Sequence, residues 1–198
     1  MKLFAKQLIN RMRKLHYTLF LFFLVFKISS QNVQVNIITR QNDTIKEFRL
    51  KKDYLFDHLM VLDLEKKLVV VNAKGEKREF LPNEVKSFSF TRENKRVDFI
   101  GIDNNLFGLL MYSNKLKLLK VIKPGYTNIN FYVIVRPNNG KTSFMEAMGL
   151  GRLISKKVIS REITDCPIIL EKVENKILKI SGEEGVIELI KEYESSCF

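Results

Sequence analysis

Gly140-Lys141-Thr142, after the apolar stretch Phe131–Val135, comes nearest in this chain to the chemistry of nucleotide binding. A phosphate-cradling loop wraps the anion in backbone amides and needs a glycine five residues before that glycine. Val135 stands there. Asn138-Asn139-Gly140-Lys141 fits a hairpin turn with Asn-Gly at its tip instead, and no nucleotide or other cofactor is expected. A nucleophile served by a histidine base would have to use His58, because the other histidine, His16, belongs to the leader described below. His58 sits in Asp57-His58-Leu59 beside an apolar run and reads as structural. Paired carboxylates could hydrolyse a bond. Glu183, Glu184, Glu188, Glu192 and Glu194 are already explained by the capping and solvation of one helix. Asp57, Asp63 and Glu65 head a strand region and have no identifiable partner. No catalytic residue is assigned, and a carboxylate-dependent hydrolase is kept only as a minor alternative.

Cys166 and Cys197 are the only cysteines. An even count in an oxidising compartment reads as a disulfide, which on the chain-entropy model stabilises by roughly 3–4 kcal/mol. Two reduced thiols or a metal site are the competing readings. Zinc wants four ligands and only His58 is left to join the pair, so no metal is expected. Lys51-Lys52, Lys66-Lys67 and Lys156-Lys157, with Lys115, Lys117, Lys120 and Lys123, raise contact with an anionic surface of lipid or glycan headgroups. Strand alternation puts Lys117 and Lys120 on opposite faces, so they form no single basic stripe. Lysines protecting sheet edges account for much of the set. Phe88, Phe90, Phe99, Phe107 and Phe131 either build the core or line a pocket for an apolar ligand.

Which of these chemistries applies depends on the compartment, and residues 17–26 bear on that. They form an uncharged apolar run of ten, preceded by Lys2, Lys6, Arg11, Arg13 and Lys14 and followed by Lys27-Ile28-Ser29-Ser30. No acid occurs in residues 1–30. Basic head, apolar middle and small-residue tail are the parts of a secretory signal peptide, with cleavage expected between Ser30 and Gln31. A spanning helix needs about 20 apolar residues, so the mature chain is not expected to be an integral membrane protein. Met12, just before the tighter basic cluster, is an alternative start to Met1. The whole chain carries +12; residues 1–30 hold six of its Lys and Arg and no acid, which leaves +6 for the rest. On a cytoplasmic protein such a balance would raise nucleic acid. Outside the cytoplasm the polyanions are lipid and glycan headgroups, and no nucleic-acid partner is expected.

The elements that must position these residues are mostly strands. Val33, Val35 and Ile37 alternate with Gln34 and Asn36, and Thr44–Leu50 follows a turn at Gln41-Asn42-Asp43, so the pair reads as a hairpin. Further short strands are expected near 68–71, 77–81, 87–91, 96–102, 106–112, 116–122 and 129–135. Turns too short for a helical crossover predict an antiparallel meander or partly closed sheet over 31–145. Pro82–Lys86 reads as one helical turn. A helical tail over 146–198 packs on the same domain. Thr164 or Asp165 would cap a helix with Pro167 in its first turn, and Ser181 with Glu184 makes a capping-box pattern before a second. The disulfide would tie the start of the first helix to the end of the second. The class is α+β.

Four stretches, taken in order, resemble an uncharacterised family of small secreted bacterial envelope proteins. They are Asn42-Asp43-Thr44-Ile45; Pro82-Asn83-Glu84-Val85 with Phe88; Asp165-Cys166-Pro167 followed by Glu171-Lys172-Val173; and Leu189-Ile190-Lys191-Glu192-Tyr193 with Cys197. Where that family has a glycine after the Asp-Thr-Ile stretch, this chain has Glu47-Phe48. The resemblance implies a signal-bearing, β-rich protein with a cysteine-bearing helical tail, and it brings no activity or site residue with it. The expectation is a non-enzymatic, extracytoplasmic structural or interaction module of the cell envelope, periplasmic or secreted, meeting an envelope protein or a lipid or glycan surface. The alternative is a carrier or binder of an apolar or anionic envelope ligand.

Overall fold

A computed structural model describes residues 33–52, 54, 56–123, 129–137, 142–148, 153–178 and 180–198. The expected signal peptide, its Ser30/Gln31 cut and the Asn138–Lys141 turn lie outside the described residues. The first half holds β1 (Gln34–Thr39), β2 (Thr44–Leu50), α1 (Asp57–Leu64), β3 (Leu68–Val71), β4 (Lys77–Phe80) and β5 (Val85–Arg92). β6 (Lys95–Ile102), β7 (Leu106–Ser113), β8 (Lys117–Lys123), β9 (Ile129–Val135), β10 (Ser143–Met148) and β11 (Leu153–Ile154) follow. Three helices end the chain: α2 (Lys156–Glu162), α3 (Pro167–Glu174) and α4 (Gly182–Cys197). The class is α+β, as the sequence predicts.

The strands form one 11-stranded sheet in the order β11-β10-β9-β8-β7-β6-β5-β1-β2-β3-β4. Every pairing is antiparallel. From β5 onward the strands pair antiparallel in chain order, as a meander. Glu93 and Asn94, then Asp103 and Asn104, take positive φ (50°, 61°, 46° and 62°), the left-handed pair that matches a two-residue turn to strand twist. Leu81–Glu84 alone carry the chain from β4 back to β5. An extended chain of five steps spans at most about 18 Å, less than the roughly 19 Å of four flat strand spacings. The sheet therefore curls at this end, while β4 and β11 remain its two edges and leave it open.

Two apolar cores share one face of this sheet. β1 to β7 and α1 enclose the first, where Phe88 stacks on Phe99 at 4.9 Å and meets Phe107 edge-on at 5.0 Å. β8 to β11 and the three terminal helices enclose the second, around Tyr132, Ile134, Ile159, Ile169, Leu189 and Tyr193. β8 serves both, with Leu118 in the second core and Ile122 in the first. Ile102, Leu119, Val121 and Val133 form a smaller cluster on the opposite face. Gly108 lets β6, β7 and β8 close up there, because a Cβ would meet Ile102 Cδ1 and Leu119 Cβ at 2.9 Å.

The structure departs from the sequence reading in several places. Residues 57–64 form α1, not the head of a strand, because Met60, Val61 and Leu64 meet the core at helical spacing. Apolar residues on nearly every side of Leu59–Leu64 hide that period. β10 and β11 carry the sheet past residue 145, and Ser155 opens the unexpected helix α2 by accepting the Val158 N–H at 3.3 Å. Cys166, not Thr164 or Asp165, is the N-cap of α3. Ser181 stands at the N-cap of α4 but makes no side-chain capping bond. Pro82–Glu84 is a tight turn with the Val85 N–H on the Leu81 carbonyl at 3.2 Å, and Lys86 already belongs to β5.

Cys166 and Cys197 form a disulfide with Cα atoms 5.9 Å apart across 31 positions of chain, tying the start of α3 to the end of α4. Replacing both by serine is expected to lower the unfolding free energy by about 3–4 kcal/mol, read as a fall in the urea midpoint. Gly108→Ala is expected to cost about 1–3 kcal/mol in the same assay, despite the better strand propensity of alanine, through overpacking.

Candidate functional site

β7 and β8 pair only from Ser113–Lys117 to Leu109–Lys120, with a bulge between Leu110 and Tyr112. Beyond that the two strands part, and α1 delivers Glu65 into the gap. Its carbonyl accepts the Phe107 N–H at 2.7 Å, and its Oε2 accepts the Ile122 N–H at 3.1 Å. One residue thus takes the place of the missing strand partner on both sides. Its second carboxylate oxygen has no hydrogen-bond partner among the described residues. Glu65 is 7% exposed. Burial pushes its carboxyl above the ordinary range, against the pull of the Ile122 N–H and of Lys66.

Glu65 lines a cavity of about 420 Å³ with Lys66, Leu106, Val121, Lys123, Phe131 and Phe144. Alternation along β8 puts Val121 and Lys123 on the face opposite Ile122, and Phe131 stands directly across from Val121 on β9. The wall is therefore apolar and aromatic, the two ammonium groups carry positive charge, and the one carboxyl is biased towards its neutral form. Neither lysine enters a salt bridge among the described residues. This arrangement suits binding of a molecule with an apolar part and a negative part.

The other carboxylates held by hydrogen bonds or ion pairs to the fold's own elements are occupied elsewhere. Glu194 of α4 is 5% exposed and caps the β7–β8 hairpin, accepting the Leu116 N–H at 2.9 Å and the Tyr112 hydroxyl. Burial alone would raise it, but Tyr112, the Leu116 and Lys115 amides and Asn114 together hold it below the usual range. Asp165 accepts the Tyr193 hydroxyl at 2.6 Å and sits 3.2 Å from Arg136 Nε. For Asp165 too burial pulls upward, and Tyr193 with Arg136 outweighs it. Arg136 also donates to Ser143 Oγ (2.8 Å) and to the Glu162 carbonyl (2.9 Å), so this cluster clasps α2 and α4 to β9 and β10. Glu183 pairs with Lys120, and Glu192 with Lys172.

The remaining predicted residues scatter. His58 is exposed in the first turn of α1 and stacks on Phe56 at 5.7 Å. Phe88, Phe90, Phe99 and Phe107 are packed in the first core; Phe88 also borders a small polar pocket beside Ser87 and Arg96, and Phe131 lines the Glu65 cavity on the other face. Lys120 is 5% exposed, buried between Leu118 and Ile122, and is no surface cation. Lys67 pairs with Glu79, Lys52 with Asp63, and Lys115 holds the Phe198 carbonyl. Among the described residues no group of three His, Cys, Asp or Glu could hold a metal, and no helix is long and apolar enough to cross a membrane. Nothing in the sequence signals the seam that makes Glu65 special, because strand parting depends on long-range register. Comparison with protein-family models, curated proteins and solved structures gives no match.

The opposite shifts give opposite pH behaviour. A carboxyl raised in the folded state favours folding most fully below its unfolded value, about 4.3 for glutamate, and that contribution is lost as pH rises through the folded value. Glu65→Gln keeps an oxygen for the Ile122 N–H and removes the titration. It is expected to match wild type near pH 4 and to gain in relative Tm as the pH rises to 8. Glu194→Gln is expected to cost about 1.5–3 kcal/mol at pH 7, with the difference vanishing as the pH falls through the lowered value. Thermal melts of the two variants across pH 3–8 check both signs.

Proposed function

We propose that this chain is an exported, non-enzymatic binding module of the cell envelope, and that its ligand enters the Glu65 cavity. The observation that carries the reading is the cavity's composition. Apolar walls and two lysines surround a single carboxyl that is already engaged by a backbone amide. General acid–base hydrolysis needs a second carboxylate facing the same space, and Asp165 and Glu194 serve other parts of the fold. The extracytoplasmic setting is supported by the basic-apolar-small pattern of residues 1–30 and by the Cys166–Cys197 disulfide. In that setting the available ligands are lipid- and glycan-derived. The alternative of a module acting only through protein contact leaves the cavity without a role.

Fractionation of the producing cell with mass spectrometry tests the setting. The expected result is a mature N-terminus at Gln31 and an oxidised Cys166/Cys197 peptide in the extracytoplasmic fraction. Cytosolic protein that retains residues 1–30 and carries both thiols reduced overturns it.

A further inference from the structure

The geometry points to a single-chain amphiphile with a small anionic head as the occupant of the Glu65 cavity, its head between Lys66 and Lys123 and its chain along Val121, Phe131 and Phe144. This deepens the binding reading above and rests on it. A volume of about 420 Å³ lies at the small end of ligand pockets, which run from about 300 to 1,000 Å³. One aliphatic chain fits such a space; a two-chain lipid does not.

Charge then selects the head. Lys66 and Lys123 line the same cavity and are exposed, so an anion can reach both from solvent. Glu65 lines the same cavity as the two lysines and the apolar wall. Its Oε2 is fixed by the Ile122 N–H, which orients the carboxyl and leaves one oxygen towards which a ligand head can be placed. Burial biases that carboxyl towards its protonated form, in which it can donate a hydrogen bond to an acceptor-only head. Carboxylate and sulfate heads accept and do not donate. A sugar head gains hydrogen bonds but no charge–charge attraction from the lysines, and a quaternary ammonium is repelled by them.

Titration calorimetry on the disulfide-bonded chain separates the possibilities. The probes are laurate, dodecyl maltoside and dodecyltrimethylammonium, all below their aggregation concentrations, and vesicles of phosphatidylglycerol. Wild type is expected to bind laurate at least about tenfold more tightly than dodecyl maltoside and to reject the cation, with laurate shifting the Ile122 and Phe107 amide resonances. The Lys66→Glu/Lys123→Glu double variant alters two exposed side chains and so should fold. It is expected to lose about tenfold or more in laurate affinity while keeping its weak affinity for dodecyl maltoside. Equal affinity for the neutral and anionic probes, or unchanged laurate binding by the double variant, overturns the anionic-head assignment and leaves the binding module standing. Binding to the vesicles without binding to laurate overturns it in favour of a membrane surface. Absence of binding by all three soluble probes overturns the cavity as a binding site altogether.

Discussion

Beyond the Leu109–Lys120 pair the sheet loses its own backbone partners, and the end of α1 supplies them. A buried amide without an acceptor costs about 1–3 kcal/mol, so the parting of β7 and β8 is tolerable only because Glu65 serves Phe107 and Ile122 at once. The constraint propagates outward. α1 must end at this depth, which fixes Met60, Val61 and Leu64 over the first core. β8, detached from β7 at this end, turns Val121 and Lys123 towards the cavity while Ile122 stays in the core.

The same parting explains why one sheet carries two cores. A continuous apolar face would merge them, but Lys120 and Asn130 interrupt it on β8 and β9, and Tyr132 faces Lys120 across the strands. Lys120 is 5% exposed and answered by Glu183 at the start of α4. Removing one partner of such a buried pair leaves an uncompensated charge, which is why these pairs constrain arrangement more than they add net stability. Asp165, Arg136 and Tyr193 at one end of the helical tail and Glu194 at the β7–β8 hairpin fix the docking of α4. The disulfide closes the remaining loop. The tail is thus held by polar contacts chosen for geometry, over an apolar surface that supplies most of the driving force.

Local rules made the meander readable. Asp103-Asn104-Asn105 announces a hairpin, Val133 and Val135 share a face as their alternation says, and the two cysteines bond as their even count suggests. What could not be read depends on partners distant in sequence. Leu59–Leu64 is apolar on nearly every side, so its period is silent until β3, β7 and β8 surround it. Lys120 looks like any strand lysine until Glu183, 63 positions away, covers it. Four of the five strand phenylalanines proved to be packing residues, because adjacent strands place them against one another. Phe131 falls on the other face, and only pairing between β8 and β9 says so.

Glu65 is the residue whose chemistry the fold does not exhaust. A glutamine could accept the Ile122 N–H through its amide oxygen and would avoid the burial of an ionisable group. The carboxyl therefore carries a stability cost at neutral pH that the seam itself does not require. What the acid adds is a second oxygen, on a carboxyl that burial biases towards its protonated, hydrogen-bond-donating form, in a cavity whose other charged groups are two lysines. A donor of that kind has no use in a filled core, where every polar group needs its partner within the fold. It is useful where the partner arrives from outside, so the physical oddity of this position and the case for a ligand are one observation.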